Sequence, residues 1–218
     1  MNYVFFDVEC AQTDGRGGKV YSIGYIITDQ QLKVVQKEKD ILVNPNVECW
    51  DWYVAKNILA YSKKHLESMP CFDKCYNKIR NIFKKEGVVI CGFSVKDDIR
   101  YLESECVRYG LPSLNLKCFD VKLLSEKLVG EKMGLEIAYM KWCNRLPANL
   151  HRSDIDALFT YEIARAICKK TKKHLHNYKQ KIISFMYRVL KNKNLYKTKK
   201  EKQNEAGTVD LSIRGKYI

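Results

Sequence analysis

Residues 1–10 read MNYVFFDVEC, and the fold follows from how that stretch is taken. Tyr3, Val4, Phe5 and Phe6 make a short aromatic run with one β-branched member, which predicts a strand over residues 3–6. Asp7 and Glu9 stand at the end of that strand. Side chains alternate across a strand, so residues two apart face the same side. Both carboxylates therefore point one way, beside a run that belongs in a core. Two like charges on a buried face repel, and burial costs each of them its hydration. A divalent cation resolves both problems. A frayed strand end carrying two solvated acids is the other reading of this pair taken alone.

Outward from there, residues 13–18 (TDGRGG) read as a turn-rich loop. Residues 20–28 (VYSIGYIIT) are strand-like, as are residues 32–35, and residues 41–43 add edge pairing. Asp29, Gln30 and Gln31 form a hairpin connection, with Asp29 as the turn-favouring residue. Three early strands in an antiparallel meander result. The pattern then changes. Phe72, Cys75, Tyr76, Ile79, Ile82 and Phe83 recur at helical spacing up to Gly87. Residues 88–91 (VVIC) are a continuous apolar run of the kind buried on both faces. Ile99, Leu102, Cys106 and Tyr109 mark a helix closed by Gly110 and Pro112. Residues 116–121 give a fifth strand, and helices follow over residues 123–128, 135–142 and 155–168. Strands first and βα units afterwards predict an α/β fold with a mixed five-stranded sheet.

Two further acidic stretches accompany strand–helix junctions. Ser94 and Asp97 have capping-box spacing, which gives Asp97 a structural task. Asp98 has none and precedes the apolar position Ile99, so Asp98 is favoured as the functional acid. Ser153 and Asp156 share the same spacing at the start of the last helix, with His151 just before it. Each element alone has an ordinary structural explanation.

Composition bounds what these acids can serve. The chain has 218 residues, 46% hydrophobic and 29% charged, which excludes global disorder. Its net charge is +14. Residues 169–218 contribute 15 basic and 3 acidic residues, a net +12, so the preceding part is nearly neutral. The expected organisation is a domain over residues 1–176 and a basic C-terminal extension over residues 177–218. In the extension, Ile182, Ile183, Met186, Val189 and Leu190 sit at helical spacing among lysines and arginines, and a polar stretch follows Tyr196. Three uses are open for this helix: packing on the domain, clamping nucleic acid, or lying on an anionic membrane. No stretch reaches the roughly 18 apolar residues of a membrane span, and residues 1–10 lack the basic start of a signal peptide. The nine cysteines form no CxxC pair. They are expected to be reduced and mostly buried, in a cytoplasmic protein without membrane association.

Taken in order, D-x-E after the first strand (Asp7, Glu9), an acid opening a helix after a core strand (Asp98) and H-x4-D opening a late helix (His151, Asp156) resemble the DEDDh family of 3′–5′ exonucleases. That family is the DnaQ-like branch of the RNase H-like fold, and the likeness covers about residues 1–170. Residues 59–72 (LAYSKKHLESMPCF), 134–138 (GLEIA), His151-Arg152 and Asp156-Ala157 are similar to the branch that trims histone mRNA and small RNA ends. The resemblance implies that Asp7, Glu9, Asp98 and Asp156 hold two Mg²⁺ or Mn²⁺ ions and that His151 is the general base. The sister group with Tyr would place it at position 152, which is Arg152 here. Four carboxylates suit hard, oxygen-preferring cations, and a two-metal arrangement activates water and neutralises the reacting phosphate. Histidine titrates near neutrality and can accept the proton.

The implied activity is removal of nucleoside 5′-monophosphates from single-stranded 3′ ends of RNA or DNA. The alternative is a non-catalytic nucleic-acid-binding module of the same fold. Where the family often has Thr after its glutamate, this chain has Cys10 and Ala11, and Ser94 replaces a usual Asn. Those three positions, with Trp50 and Trp52, are the candidate substrate contacts. Aromatics such as Trp50, Trp52 and Tyr53 can stack on bases, or they can cover core.

Overall fold

A computed structural model of the protein describes residues 1–13, 17–178 and 183–184. Its sheet has the order β3-β2-β1-β4-β5-β6. Strands β1 (Asn2–Thr13), β2 (Gly18–Asp29) and β3 (Val34–Leu42) form the expected antiparallel meander. β4 (Val88–Gly92) adds parallel to β1, and β5 (Lys117–Asp120) parallel to β4. These are the five strands the sequence predicts. The sixth, β6 (Ile183–Ser184), pairs antiparallel with β5. Thus the sheet takes up two residues from beyond the boundary expected at residue 176, where the sequence reads as helix. The remainder of that expected helix and the polar stretch after Tyr196 lie outside the described residues.

The β2–β3 hairpin turns at Asp29, as the sequence places it, but runs on through Leu32 and Lys33, which the sequence reads as the start of the next strand. The Asp29 carboxylate accepts hydrogen bonds from the main chains of Gln31 and Lys33, both at 2.9 Å. Leu32 takes the left-handed conformation, φ 62°, that closes the turn.

Alternation along β1 divides the core. Val4, Phe6 and Val8 face α2 (Phe72–Phe83) and α3 (Lys96–Arg108) in one apolar layer. Tyr3 and Phe5 face a second layer built from α4 (Val121–Val129), α5 (Leu135–Cys143) and α6 (Ser153–Thr171). A short helix, α1 (Lys63–Glu67), and a π-helical turn over Val54–Ile58 cover the remaining end. All nine cysteines are free, five of them buried. No helix among the described residues is long and apolar enough to cross a membrane.

Among the glycines described, Gly24 marks the tightest backbone approach, between β2 and the start of α6. A Cβ added at Gly24 would lie 1.9 Å from the Ser153 carbonyl carbon and 2.1 Å from the Asp154 nitrogen. Main chain cannot yield as a flexible side chain can, so only glycine lets α6 begin directly on the sheet. Gly24→Ala is expected to cost about 1–3 kcal/mol, the usual range for overpacking. In a domain of this size that lowers the melting temperature by roughly 2–12 °C in a thermal denaturation scan. An unchanged melting temperature would show that α6 can lift off without penalty.

Candidate active site

β1 is longer than its apolar run suggests. The sequence pattern ends the strand at Asp7 and Glu9, but pairing with β2 carries it on to Thr13. Pairing with β4 stops earlier, at Phe5. Asp7 and Glu9 thus project from a strand whose β4 side has been vacated, beyond the carboxyl ends of the parallel strands. Crevices at that position in open sheets are where ligands bind. A bulge between Glu9 and Cys10 then bends the strand.

Three elements bring further groups to this crevice. α3 delivers Asp98, which is buried, and the Val8 main chain donates a hydrogen bond to its carboxylate. Asp97 is turned outward and pairs with Arg100 at 2.9 Å. α6 delivers Asp156, also buried. His151 lies just before α6 in the left-handed conformation, φ 68°, and its N–H donates to Asp156 Oδ2 at 3.1 Å. Glu9, His151 and Asp156 each offer a ligand atom within 4.8 Å of the others. All five expected residues therefore meet in one place.

Neither expected capping box forms. Ser94 is left-handed, φ 65°, and Val95 caps α3 without a side-chain bond. The Ser94 N–H instead donates to Asp120 Oδ1 at 3.1 Å, and the same carboxylate accepts from the Lys122 and Leu123 main chains at the start of α4. Asp120 thus fixes the corner that launches α3. At α6 the cap position is Arg152, again without a side-chain bond. The Ser153 hydroxyl is buried and donates to Asp40 Oδ1 at 2.9 Å. Asp40 also accepts from Ser22 at 2.6 Å and from the Tyr61 hydroxyl at 2.7 Å. Gly24, Ser22, Asp40, Tyr61 and Asp120 do not stand out in the sequence as site residues. Gly24 alone carries a signal there, since glycine inside a strand marks a close backbone approach.

The candidate substrate contacts separate. Cys10 and Ala11 are buried, with side chains among core residues, so only their main chain is available. Trp50 packs on Tyr21 with ring centres 5.9 Å apart and belongs to the covering layer. Trp52 is 70% exposed with Lys56 over its ring, and Tyr53 is exposed beside it. Their segment is tied to the site strand by a hydrogen bond from Asp51 N–H to the Ala11 carbonyl, 3.0 Å. Ser94 is exposed at the start of α3. In the turn-rich loop, residues 14–16 lie outside the described residues, while Gly17 and Gly18 pack on α3. Arg152, at the alternative Tyr position, forms a two-point ion pair with Asp154.

Electrostatics is adverse in the metal-free site. Burial, then the carboxylates of Asp98, Glu9, Asp156 and Asp40, push Asp7 well above the usual range. Burial, then Glu9, Asp97 and Asp120, do the same to Asp98, against the relief from Val8. Burial and the Asp156 and Asp40 charges raise Glu9 to about 8. Asp156 rises to about 7, chiefly through burial, with the His151 N–H opposing. Asp156 Oδ1 is buried without a hydrogen-bond partner. An oxygen-rich cluster that is reluctant to ionise and holds an unsatisfied carboxylate oxygen fits divalent cations of the Mg²⁺ or Mn²⁺ kind.

These groups hold protons more tightly in the fold than in the unfolded chain, where carboxylates titrate near 4. Without metal their contribution to stability is therefore greatest at low pH, and it falls as pH rises from about 4 through the raised values near 7 and 8 of Asp156 and Glu9. In chelator, Asp7→Asn should raise the melting temperature at pH 8 by several degrees, at about 2–4 °C per kcal/mol recovered. It should also flatten the fall between pH 5 and 8 and weaken the stabilisation given by added Mg²⁺. Scanning fluorimetry showing a variant less stable than wild type at pH 8 would contradict this account.

Comparison with known proteins agrees with this geometry. Residues 4–164 match the family described as Exonuclease (RNase_T). No curated protein matches the chain in sequence. Among solved structures, an exonuclease I described in terms of processivity has TM-score 0.66 and 15% identity over 77% of this chain and 41% of its own. The zinc-bound complex of E. coli exonuclease I with single-stranded DNA gives 0.67 and 14%, over 78% and 41%. A 3′-exonuclease that recognises the histone mRNA stem-loop gives 0.66 and 12%, over 85% and 89%. The chain spans about two fifths of the exonuclease I chains and most of the histone mRNA enzyme. At these identities the likeness establishes the RNase H-like fold, and the family match establishes membership: the chain belongs to the exonuclease family.

Proposed function

We propose that this member of the exonuclease family is a metal-dependent 3′–5′ exonuclease that removes nucleoside 5′-monophosphates from single-stranded 3′ ends of RNA or DNA. The observation that carries this reading is the convergence of Asp7, Glu9, Asp98 and Asp156 on one crevice with His151 beside them. The solved relatives in complex with single-stranded DNA and with a histone mRNA stem-loop support the substrate class. The nine free cysteines fit a reducing compartment such as the cytoplasm.

In this reading Asp7, Glu9, Asp98 and Asp156 would hold two Mg²⁺ or Mn²⁺ ions. When bound, such a pair activates water and offsets the charge that builds on the reacting phosphate and the leaving 3′-oxygen. The chain's own groups do the rest. His151 is held by its main-chain bond to Asp156 while its side chain stays exposed, free to accept the proton of the attacking water. The Asp40 network seats α6, and Asp120 seats α3, so both helix-borne acids are fixed before substrate arrives. Trp52 and Tyr53 offer exposed ring faces for the terminal bases, anchored through Asp51 to Ala11.

Labelled oligonucleotides with Mg²⁺ or Mn²⁺ provide the test. A 5′-labelled strand should shorten stepwise from its 3′ end. Asp7→Ala should abolish turnover, and His151→Ala should slow it by about 10²–10⁴-fold, the usual worth of a general base. The assignment fails if either variant degrades the strand as fast as wild type, or if wild type binds without hydrolysing. Trp52→Ala should raise KM about tenfold with kcat little changed, within the 1–3 kcal/mol range of base stacking. An unaltered KM would remove Trp52 from the substrate path.

A further inference from the structure

The far end of α6 from Asp156 opens into a cleft of about 980 Å³. Arg145, Arg165, Lys169, Lys170, Lys172 and Lys173 line it, against a single carboxylate, Glu162. Glu162 is already engaged, accepting from the Tyr139 hydroxyl at 2.5 Å and pairing with Arg145 at 2.7 Å. None of the other five cations is in a salt bridge among the described residues, although Lys170 lies over the Trp142 ring at 5.3 Å and Arg165 hydrogen-bonds the Tyr161 hydroxyl. Helix C-terminal carbonyls attract cations into the last turn, which accounts for lysines near residue 170. That effect fades within a turn. Arg145 and Arg165 have their own partners in Glu162 and Tyr161, but neither the dipole nor those bonds call for Lys172 and Lys173 to join them around one concavity.

We infer that this cleft is an exosite for the phosphate backbone of the nucleic acid whose 3′ end lies at the acidic crevice, an inference that rests on the exonuclease reading of that crevice. The crevice repels phosphates through its carboxylates, and among the described residues Arg100 and Arg152, which flank it, are paired with Asp97 and Asp154, so compensating charge has to come from elsewhere. The cleft supplies that charge on the same helix. Residues 144–152 run directly from Arg145 at its rim to the His151 turn. Asp156 and Lys169 are 13 positions apart on α6, about 20 Å at 1.5 Å per residue. Stacked nucleotides rise about 3.4 Å each, so roughly six separate the two sites. A concave, cation-lined surface suits a strand that enters it, whereas a bilayer needs a protruding or flat basic face.

The full chain can be tested by fluorescence anisotropy with Ca²⁺, a hard oxygen-seeking cation, in place of Mg²⁺ to fill the crevice, using labelled single strands of about twenty and about four nucleotides. The double variant Lys169→Glu with Lys173→Glu should weaken the long strand about tenfold and flatten its log K against log salt slope by about 1.4, at roughly 0.7 for each phosphate no longer neutralised. The short strand should bind as before. The Gln versions should show a smaller effect in the same direction. Lys78→Glu with Arg80→Glu, on exposed positions of α2, should leave both strands unaffected. With Mg²⁺ added, KM for the long strand should rise with kcat unchanged. Equal weakening of both strands, or none of the long one, overturns the exosite. So does loss of binding to phosphatidylserine vesicles with long-strand binding intact, which would make the cleft a membrane contact. A wild type that binds with this length dependence but cannot hydrolyse would sink the catalytic reading and leave the exosite standing.

Discussion

Four carboxylates share one crevice, and without metal burial makes each of them harder to ionise, while Asp98, Glu9 and Asp156 add their charges against Asp7. Such a cluster does not hold itself together, so the rest of the molecule has to. β1 presents Asp7 and Glu9 from the middle of the sheet, where β4 fixes its course as far as Phe5 and β2 carries it past both acids. α3 is tied down at its start by Asp120 and, through Asp98, by the Val8 main chain. α6 rests on Gly24 without intervening side-chain atoms, and Ser153 locks it to Asp40. Apart from the main-chain bonds of Val8 and His151, the supporting bonds lie around the crevice rather than in it, which leaves Asp156 Oδ1 unsatisfied. A buried acceptor in that condition costs about 1–3 kcal/mol, a penalty that a cation would remove.

Much of this is readable in the chain because it depends on short-range periodicity. Alternation puts Asp7 and Glu9 on one face, and the apolar partner Ile99 separates Asp98 from Asp97. The strand's true end is not readable. Residues 10–13 lack the apolar alternation of an interior strand, and they are extended because β2 runs alongside, not because of their own preference. The capping boxes fail for a related reason. Spacing alone proposes Ser94 with Asp97 and Ser153 with Asp156, but the acceptors that win are Asp120 and Asp40. Those lie 26 and 113 positions away from the serines that use them. Asp156 is released from capping and takes the His151 N–H instead, which sets the histidine beside the acids.

The aromatic segment shows the same limit at finer grain. Trp50 and Trp52 are two residues apart and of one chemical type, yet one covers core and the other faces solvent. Nothing in the local pattern decides between them. The decision comes from Tyr21 on β2, which gives Trp50 a partner, and from the Asp51 bond to Ala11, which turns the segment over at that point.

Charge is the property most changed by being placed in space. As a sum, +14 describes a protein suited to polyanions throughout. In the fold, acids collect at the start of α6, and cations collect near its end, on Arg165 to Lys173 and on Arg145 beside them. A helix has its positive dipole end at the N-terminus, so the acids at Asp154 and Asp156 and the lysines at 169 and 170 each sit where the backbone favours them. The separation of charge on which the proposed metal and phosphate sites rely thus follows the ordinary preference of an α-helix. One element can carry both because its length, 19 residues, keeps the two fields more than a Debye length apart at physiological salt.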